Sequence, residues 1–105
     1  MKTIILVCSA GMSTSLLMKK IENEIISQNL QNDLKVLAIP ESTIDDVIAK
    51  ESINLMLIAP QIKYLESSIR NKVDNKFPVA LIPMQKYGLM DGKGILEDAL
   101  ILLKE

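Results

Sequence analysis

A single cysteine followed by small and hydroxyl-bearing residues forms the segment of this sequence best suited to chemistry. The segment reads Cys8-Ser9-Ala10-Gly11-Met12-Ser13-Thr14-Ser15. Gly11 tolerates backbone conformations that other residues resist, and the small side chains let several backbone N–H groups converge on one point. Ser13, Thr14 and Ser15 add hydroxyl donors. The pattern therefore predicts an anion-binding loop beside Cys8.

The predicted loop indicates a specific reaction for Cys8. A helical apolar pattern starts directly after it, and a helix N-terminus stabilises anions and favours a thiolate, the nucleophilic form of cysteine. A thiolate beside such a site can accept a phosphoryl group, held by the amides of residues 9–15. Passing that group between proteins requires an exposed thiol. The alternative is a buried cysteine that merely ends a strand, since free cysteine is among the most buried residue types.

The composition excludes most other kinds of site. The chain has 105 residues, with no histidine, one cysteine and no tryptophan. Without histidine, no Ser-His or Cys-His pair can form within the chain, and one cysteine allows neither an intrachain disulfide nor a cysteine-cluster metal site. Twelve basic residues balance thirteen acidic ones, for a net charge of −1. We therefore expect no nucleic-acid partner, no metal and no cofactor.

The size and the hydrophobic content indicate one domain. Hydrophobic residues make up 49% of the chain, so a single core over residues 1–105 is expected. The apolar runs, such as that from Ile4 to Cys8, are too short to span a bilayer. We therefore expect a cytoplasmic protein that does not insert into a membrane.

Two hydrophobic periodicities alternate along the chain. Short apolar runs typical of strands buried on both faces occur at residues 3–7, 34–39, 55–59 and 79–82. Amphipathic stretches predict helices at about residues 13–28, after Ser42, at 62–73 and at 91–103, with a loop at 84–89. This alternation predicts an α/β fold with a four-stranded parallel sheet, helices on both faces and the flavodoxin-like strand order 2-1-3-4.

The predicted topology places the Cys8 segment where ligands bind in such sheets. Binding sites lie outside the carboxyl ends of the strands at a switch point, here between the first and third strands. Gln61 and Tyr64 follow the third strand, and Tyr87 and Asp91 follow the fourth. These four can form a rim of the site or of a docking surface. The alternatives are an ordinary helix start for the first pair and, more strongly favoured, a helix N-cap for Asp91.

The plan of the first loop is similar to that of the low-molecular-weight tyrosine phosphatases. Those enzymes carry an arginine six residues after the cysteine, where this sequence has Thr14; its only arginine is Arg70. Without a guanidinium to stabilise the charge of the transition state, hydrolysis is disfavoured. The loop is better suited to hold a phosphoryl group on sulfur and pass it on. A cysteine phosphatase-like enzyme and a regulatory α/β module stay as the alternatives.

Three segments together resemble the lactose/cellobiose-type enzyme IIB of the bacterial phosphoenolpyruvate-dependent sugar phosphotransferase system. They are the Cys8 segment, Pro60-Gln61-Ile62-Lys63-Tyr64, and Tyr87-Gly88-Leu89-Met90-Asp91-Gly92. Each falls after a predicted strand, and the resemblance covers the whole chain.

This resemblance implies a phosphocysteine carrier. Cys8 would accept a phosphoryl group from a phosphohistidine of enzyme IIA. It would then pass the group to a sugar bound by the membrane component enzyme IIC, a β-diglycoside such as cellobiose, chitobiose or lactose. The absence of histidine fits this scheme, because the donor imidazole belongs to a partner. The resemblance implies a cytoplasmic protein that reaches the inner face of the membrane only transiently, through enzyme IIC.

Overall fold

A four-stranded parallel sheet organises the part of the chain that the computed structural model describes, which is residues 1–9 and 12–104, with the backbone alone at 12–14. The strands are β1 (Lys2–Cys8), β2 (Leu34–Pro40), β3 (Leu55–Ile58) and β4 (Val79–Leu81). They are all parallel and follow the order β2-β1-β3-β4. The predicted flavodoxin-like topology is confirmed.

The helices of the described residues connect these strands. They are α1 (Met12–Ser27), α2 (Ile44–Lys50), α3 (Glu66–Val73), α4 (Met84–Gly88) and α5 (Gly92–Lys104), with 3₁₀ helices at Glu41–Thr43 and Pro60–Leu65. Helix α1 packs against α5, and α2 is joined to α3 by an ion pair between Lys72 Nζ and Asp45 Oδ2 at 3.5 Å. None of the helices formed by the described residues has the length and apolar character needed to cross a membrane.

The core lies on both faces of the two central strands. The residues from Ile4 to Val7 and all of β3 are buried, although successive side chains of a strand point to opposite faces. Such continuous burial requires cover on both sides, which is typical of parallel sheets. The prediction of helices on both faces is thereby confirmed.

Two predictions about the segments after β3 and β4 are wrong in detail. Residues 84–89, predicted as a loop, contain α4, in which the Tyr87 N–H donates to the Pro83 carbonyl at 3.0 Å. One helical turn is too short to produce a periodic signal. The helix predicted at 62–73 instead starts as the 3₁₀ helix Pro60–Leu65 and becomes α-helical only at Glu66, because buried Ile62 has a non-helical φ of −116°.

Gly92, the first residue of α5, lies in close contact with the backbone of α1. A Cβ atom at this position would lie 2.9 Å from the backbone carbonyl carbon of Lys20 in α1. We expect Gly92→Ala to destabilise the protein by about 1–3 kcal/mol, because two helix backbones would have to move apart. Urea unfolding measures this change. Gly88→Ala is the matched control, since a Cβ there meets no atom within 4 Å. An equal loss for both variants would contradict the prediction.

Candidate functional site

The end of β1 is where the central strand leaves the core. Val7 is fully buried, Cys8 is 7% exposed and Ser9 is exposed. Cys8 is the last residue of β1, and α1 starts at Met12. A thiol at the strand end followed by a helix N-terminus is therefore confirmed. Cys8 lies at the edge of the sheet where the parallel strands end. We call this edge the carboxyl edge.

Cys8 is buried, whereas a phosphoryl carrier was expected to have an exposed thiol. Its Cα pairs with that of Pro40 in β2, and its S–H can donate to the carbonyl oxygen of Ile39, 3.8 Å from the sulfur. The expectation of an openly exposed thiol is corrected, because only 7% of the residue is accessible. The next residue, Ser9, is exposed.

The predicted phosphate-binding loop is described only at its two ends. Ser9 and Ser15 are both exposed. Ala10 and Gly11 lie outside the described residues, as do the side chains of Met12, Ser13 and Thr14. The role of these residues as a cradle for phosphate stays a prediction.

Two of the predicted rim residues are exposed beside the central strand. Gln61 and Tyr64 belong to the 3₁₀ helix that follows β3, the neighbour of β1 in the sheet. Both side chains are exposed, and that of Tyr64 is 74% accessible. Their part in a site or docking rim stays a prediction.

Tyr87 is not an open rim residue. It lies in α4 and is only 9% exposed, so most of its surface packs against the core. Helix α4 is also tied to α5 by a 2.7 Å contact between Lys86 Nζ and Asp98 Oδ2, and this hydrogen bond to a carboxylate raises the pKa of Lys86. The part of Tyr87 in a site or docking rim stays a prediction.

Asp91 caps helix α5, as the favoured interpretation predicted. Its Oδ1 accepts a hydrogen bond from the Gly94 N–H at 3.0 Å, and its backbone carbonyl accepts one from the Ile95 N–H at 3.0 Å. The side-chain bond satisfies the Gly94 N–H, a donor that a helix start would otherwise leave unpaired, and the Ile95 bond is the first one within the helix. The carboxylate is therefore engaged at the start of α5, while the backbone N–H of Asp91 donates to the Lys86 carbonyl of α4.

Removing the cap should be measurable. We expect Asp91→Ala to lower the free energy of unfolding by about 1 kcal/mol, the usual effect of losing an N-cap side chain. Asp91→Asn should retain most of the stability, because asparagine caps nearly as well as aspartate. Thermal or urea unfolding provides the comparison, and identical behaviour of the two variants would contradict the capping role.

The only arginine is engaged on the surface of α3. Arg70 Nη2 lies 2.8 Å from Glu66 Oε2, and its Nε also donates to that oxygen. A phosphatase of this plan needs a guanidinium at the loop after β1, which this arginine does not supply. Among the described residues, no cluster of three or more histidine, cysteine or acidic side chains could hold a metal ion.

Three features of the carboxyl edge were missed from the sequence. Leu16 in α1 and Met84 at the start of α4 are exposed, Met84 to 67%. Glu41, directly after β2, buries one carboxylate oxygen. The signal for Leu16 was present, because it directly precedes Leu17, the first inward position of the helix. No pattern in the sequence marks Glu41 as buried.

Known proteins match this chain over nearly its full length. A family model described as "PTS system, Lactose/Cellobiose specific IIB subunit" matches residues 3–98. The oligo-beta-mannoside-specific EIIB component of the PTS of Bacillus subtilis is 35% identical over 98% of this chain and 97% of its own length. The galactose-specific EIIB component of Lactococcus lactis subsp. cremoris is 31% identical, covering 93% of both chains.

A solved structure agrees with these sequence matches. The solution structure of the cellobiose-specific phosphotransferase IIB component protein from Borrelia burgdorferi superposes with a TM-score of 0.78 and 31% identity. The match covers 98% of this chain and 92% of that one. Fold and sequence thus point to the same family.

Proposed function

Because the chain belongs to the lactose/cellobiose-specific IIB family of the phosphotransferase system (PTS), a family of phosphotransferases, we propose that Cys8 carries a phosphoryl group from enzyme IIA to a sugar bound by enzyme IIC. The Cys8 sulfur attacks the phosphorus of a phosphohistidine on enzyme IIA. An S–P bond forms while the N–P bond breaks, and the imidazole keeps the electron pair. A hydroxyl of the sugar that enzyme IIC binds then attacks the same phosphorus, the S–P bond electrons return to sulfur, and the hydroxyl proton passes to the released thiolate or to water.

The observation that carries this proposal is the position of Cys8. It is the only cysteine of a chain without histidine, and it ends the central strand just before the first helix starts. A phosphoryl group on its sulfur would lie near the N-terminus of α1, where the helix dipole and free N–H groups stabilise negative charge. We infer that the amides of residues 9–15 bind that group, with no metal or cofactor.

The direct test is the mass of the intact protein after mixing with phosphorylated enzyme IIA. We expect a gain equal to one phosphoryl group, which iodine removes, as it does for phosphorus bound to sulfur. A protein that gains no mass, or gains it on a residue other than Cys8 in peptide mapping, would overturn the proposal.

We propose that enzyme IIA docks on the carboxyl edge around Cys8. Three large apolar side chains are exposed on elements that start at this edge: Leu16, Tyr64 and Met84. Single exposed apolar residues are common, but several at one edge favour a protein contact. Gln61 lies beside them and provides a polar margin.

Truncating Tyr64 should weaken this docking. We expect Tyr64→Ala to raise the KM for phosphorylated enzyme IIA about fivefold to tenfold with kcat little changed, as for an aromatic anchor of an interface. Ile26→Ala is the control, since Ile26 is exposed near the end of α1, at the opposite edge of the sheet. Steady-state phosphoryl transfer measures both. An equal effect of both variants would contradict docking at the carboxyl edge.

The sugar is proposed to be a β-diglycoside such as cellobiose, chitobiose or lactose, held by enzyme IIC. The three relatives described above bear the names of different sugars, although each shares about a third of its residues with this chain. We therefore place sugar selection on the membrane component and place this protein in the cytoplasm, visiting the inner face of the membrane through enzyme IIC. Formation of labelled sugar phosphate by membranes containing enzyme IIC tests each sugar in turn.

A further inference from the structure

The thiol of Cys8 rests against the end of β2. Its S–H can donate to the Ile39 carbonyl oxygen, 3.8 Å from the sulfur, and its Cα pairs with that of Pro40. A thiol is a weak hydrogen-bond donor, so the direction of the sulfur depends on how firmly the Ile39 carbonyl is itself held. Whatever fixes the end of β2 therefore bears on the geometry of the reacting atom.

Pro40 links the Ile39 carbonyl to the carbonyl that follows it. The carbonyls of Ile39 and Pro40 belong to successive planar peptide groups, and only φ and ψ of Pro40 separate them. The proline ring locks φ, which is −73° here, and ψ is 152°. Rotation about ψ is thus the one soft movement between the two carbonyls. A contact that holds the Pro40 carbonyl therefore also orients that of Ile39.

Thr43 makes this contact. Its hydroxyl donates to the Pro40 carbonyl at 2.9 Å, and Thr43 ends the 3₁₀ turn Glu41–Thr43 that directly follows β2. The turn is anchored on its other side, because Ile44, the first residue of α2, is 1% exposed and its N–H donates to the Glu41 carbonyl. The hydroxyl of Thr43 thus ties the last carbonyl of β2 to a turn that the core holds in place.

We propose that Thr43 is a positioning residue for Cys8. Its hydroxyl holds the Pro40 carbonyl, which through Pro40 orients the Ile39 carbonyl against which the thiol rests. The Cys8 side chain is thereby kept in one rotamer. The importance of this for catalysis rests on the proposed function, because small misplacements of reacting atoms slow a reaction strongly. Thr43 acts only through the two carbonyls.

The positioning role can be tested on the isolated protein with Thr43→Val, which keeps the shape of the side chain but removes the donor. Three-bond couplings about the Cα–Cβ bond of Cys8 should change from those of one rotamer to an average. Alkylation of Cys8 by iodoacetamide should become about fivefold faster, since a neutral hydrogen bond contributes a factor of roughly two to ten. This rate should not rise in low urea, as it would if the thiol were reached only by unfolding.

Two further variants separate the hydroxyl of Thr43 from general effects of substitution in the turn. Thr43→Ser retains the donor and should restore the couplings and the alkylation rate of the wild-type protein. Ser42→Ala is the matched control, because Ser42 is an exposed residue of the same 3₁₀ turn, and it should leave both unchanged. A Thr43→Val protein that failed to fold would be replaced by Thr43→Ala in the same measurements.

Phosphoryl transfer from phosphorylated enzyme IIA tests the consequence for the reaction. We expect Thr43→Val to lower kcat about fivefold at an unchanged KM, and Thr43→Ser and Ser42→Ala to match the wild-type protein. Unchanged couplings and alkylation in Thr43→Val, or equal changes in Thr43→Ser, would overturn the positioning role. Changed couplings with an unchanged kcat would overturn its part in the reaction. Failure of the wild-type protein to accept phosphate would count against the proposed function alone, since couplings and alkylation are measured without enzyme IIA.

Discussion

Cys8→Ser should abolish phosphoryl transfer, with a rate at least about 10³-fold below that of the wild-type protein. A serine hydroxyl stays protonated at neutral pH and is a far weaker nucleophile than a thiolate. The described residues include no histidine that could activate it, because the chain contains none. The measurement is the rate of sugar phosphorylation in a system reconstituted with enzymes IIA and IIC.

The same substitution should leave the fold almost unchanged. Serine is slightly smaller than cysteine, and its hydroxyl can also donate to the Ile39 carbonyl that now lies 3.8 Å from the Cys8 sulfur. The free energy of unfolding should change by no more than about 1 kcal/mol. A fully active Cys8→Ser protein would contradict the carrier hypothesis. If the Cys8→Ser protein were inactive because it failed to fold, the same assay would be repeated with Cys8→Ala.

Leu96→Ala should cause the largest loss of stability among the changes considered. Leu96 is 0% exposed and lies in α5, which packs against α1 and β3. Removing a fully buried leucine side chain costs about 2–5 kcal/mol, from lost apolar contact and the cavity left behind. For a domain of this size, whose total stability is about 5–15 kcal/mol, the melting temperature should fall by roughly 10–30 °C.

Ile101→Ala is the control for Leu96→Ala within the same helix. Ile101 is 60% exposed, so its truncation should change the stability by about 0.5 kcal/mol or less. Thermal unfolding followed by circular dichroism compares the two variants. If the exposed position proved as costly as the buried one, the assignment of Leu96 to the shared core of α1, α5 and β3 would be wrong.

Most of the fold follows from patterns that extend over many residues. The strand runs were predicted correctly, because residues such as Ile5 and Leu57 are buried on both faces of a parallel sheet and so form continuous apolar stretches. The strand order followed from right-handed crossovers. Helix α4 was not predictable, since a five-residue element gives no periodicity and its packing depends on Tyr87 meeting the core.

The position of the candidate site in the chain could be predicted from the sequence, but the burial of its residues could not. A thiol after the first strand and before the first helix is a local pattern, and so is the Asp-Gly start of α5 that identified the cap at Asp91. The neighbours that cover Cys8, Ile39 and Pro40 of β2, are about thirty residues away in the sequence. Such contacts come from tertiary packing, and a single sequence contains no periodic signal for them.

The covered position of Cys8 also has a chemical consequence outside phosphoryl transfer. Oxidation of a cysteine to sulfenic acid, and coupling of two cysteines into a disulfide between molecules, both depend on how freely the sulfur meets another reagent. With 7% of its surface exposed, Cys8 should resist peroxide and dimer formation better than a thiol on an open surface. We expect Cys8 to be oxidised by peroxide more slowly in the folded protein than in the protein unfolded by urea.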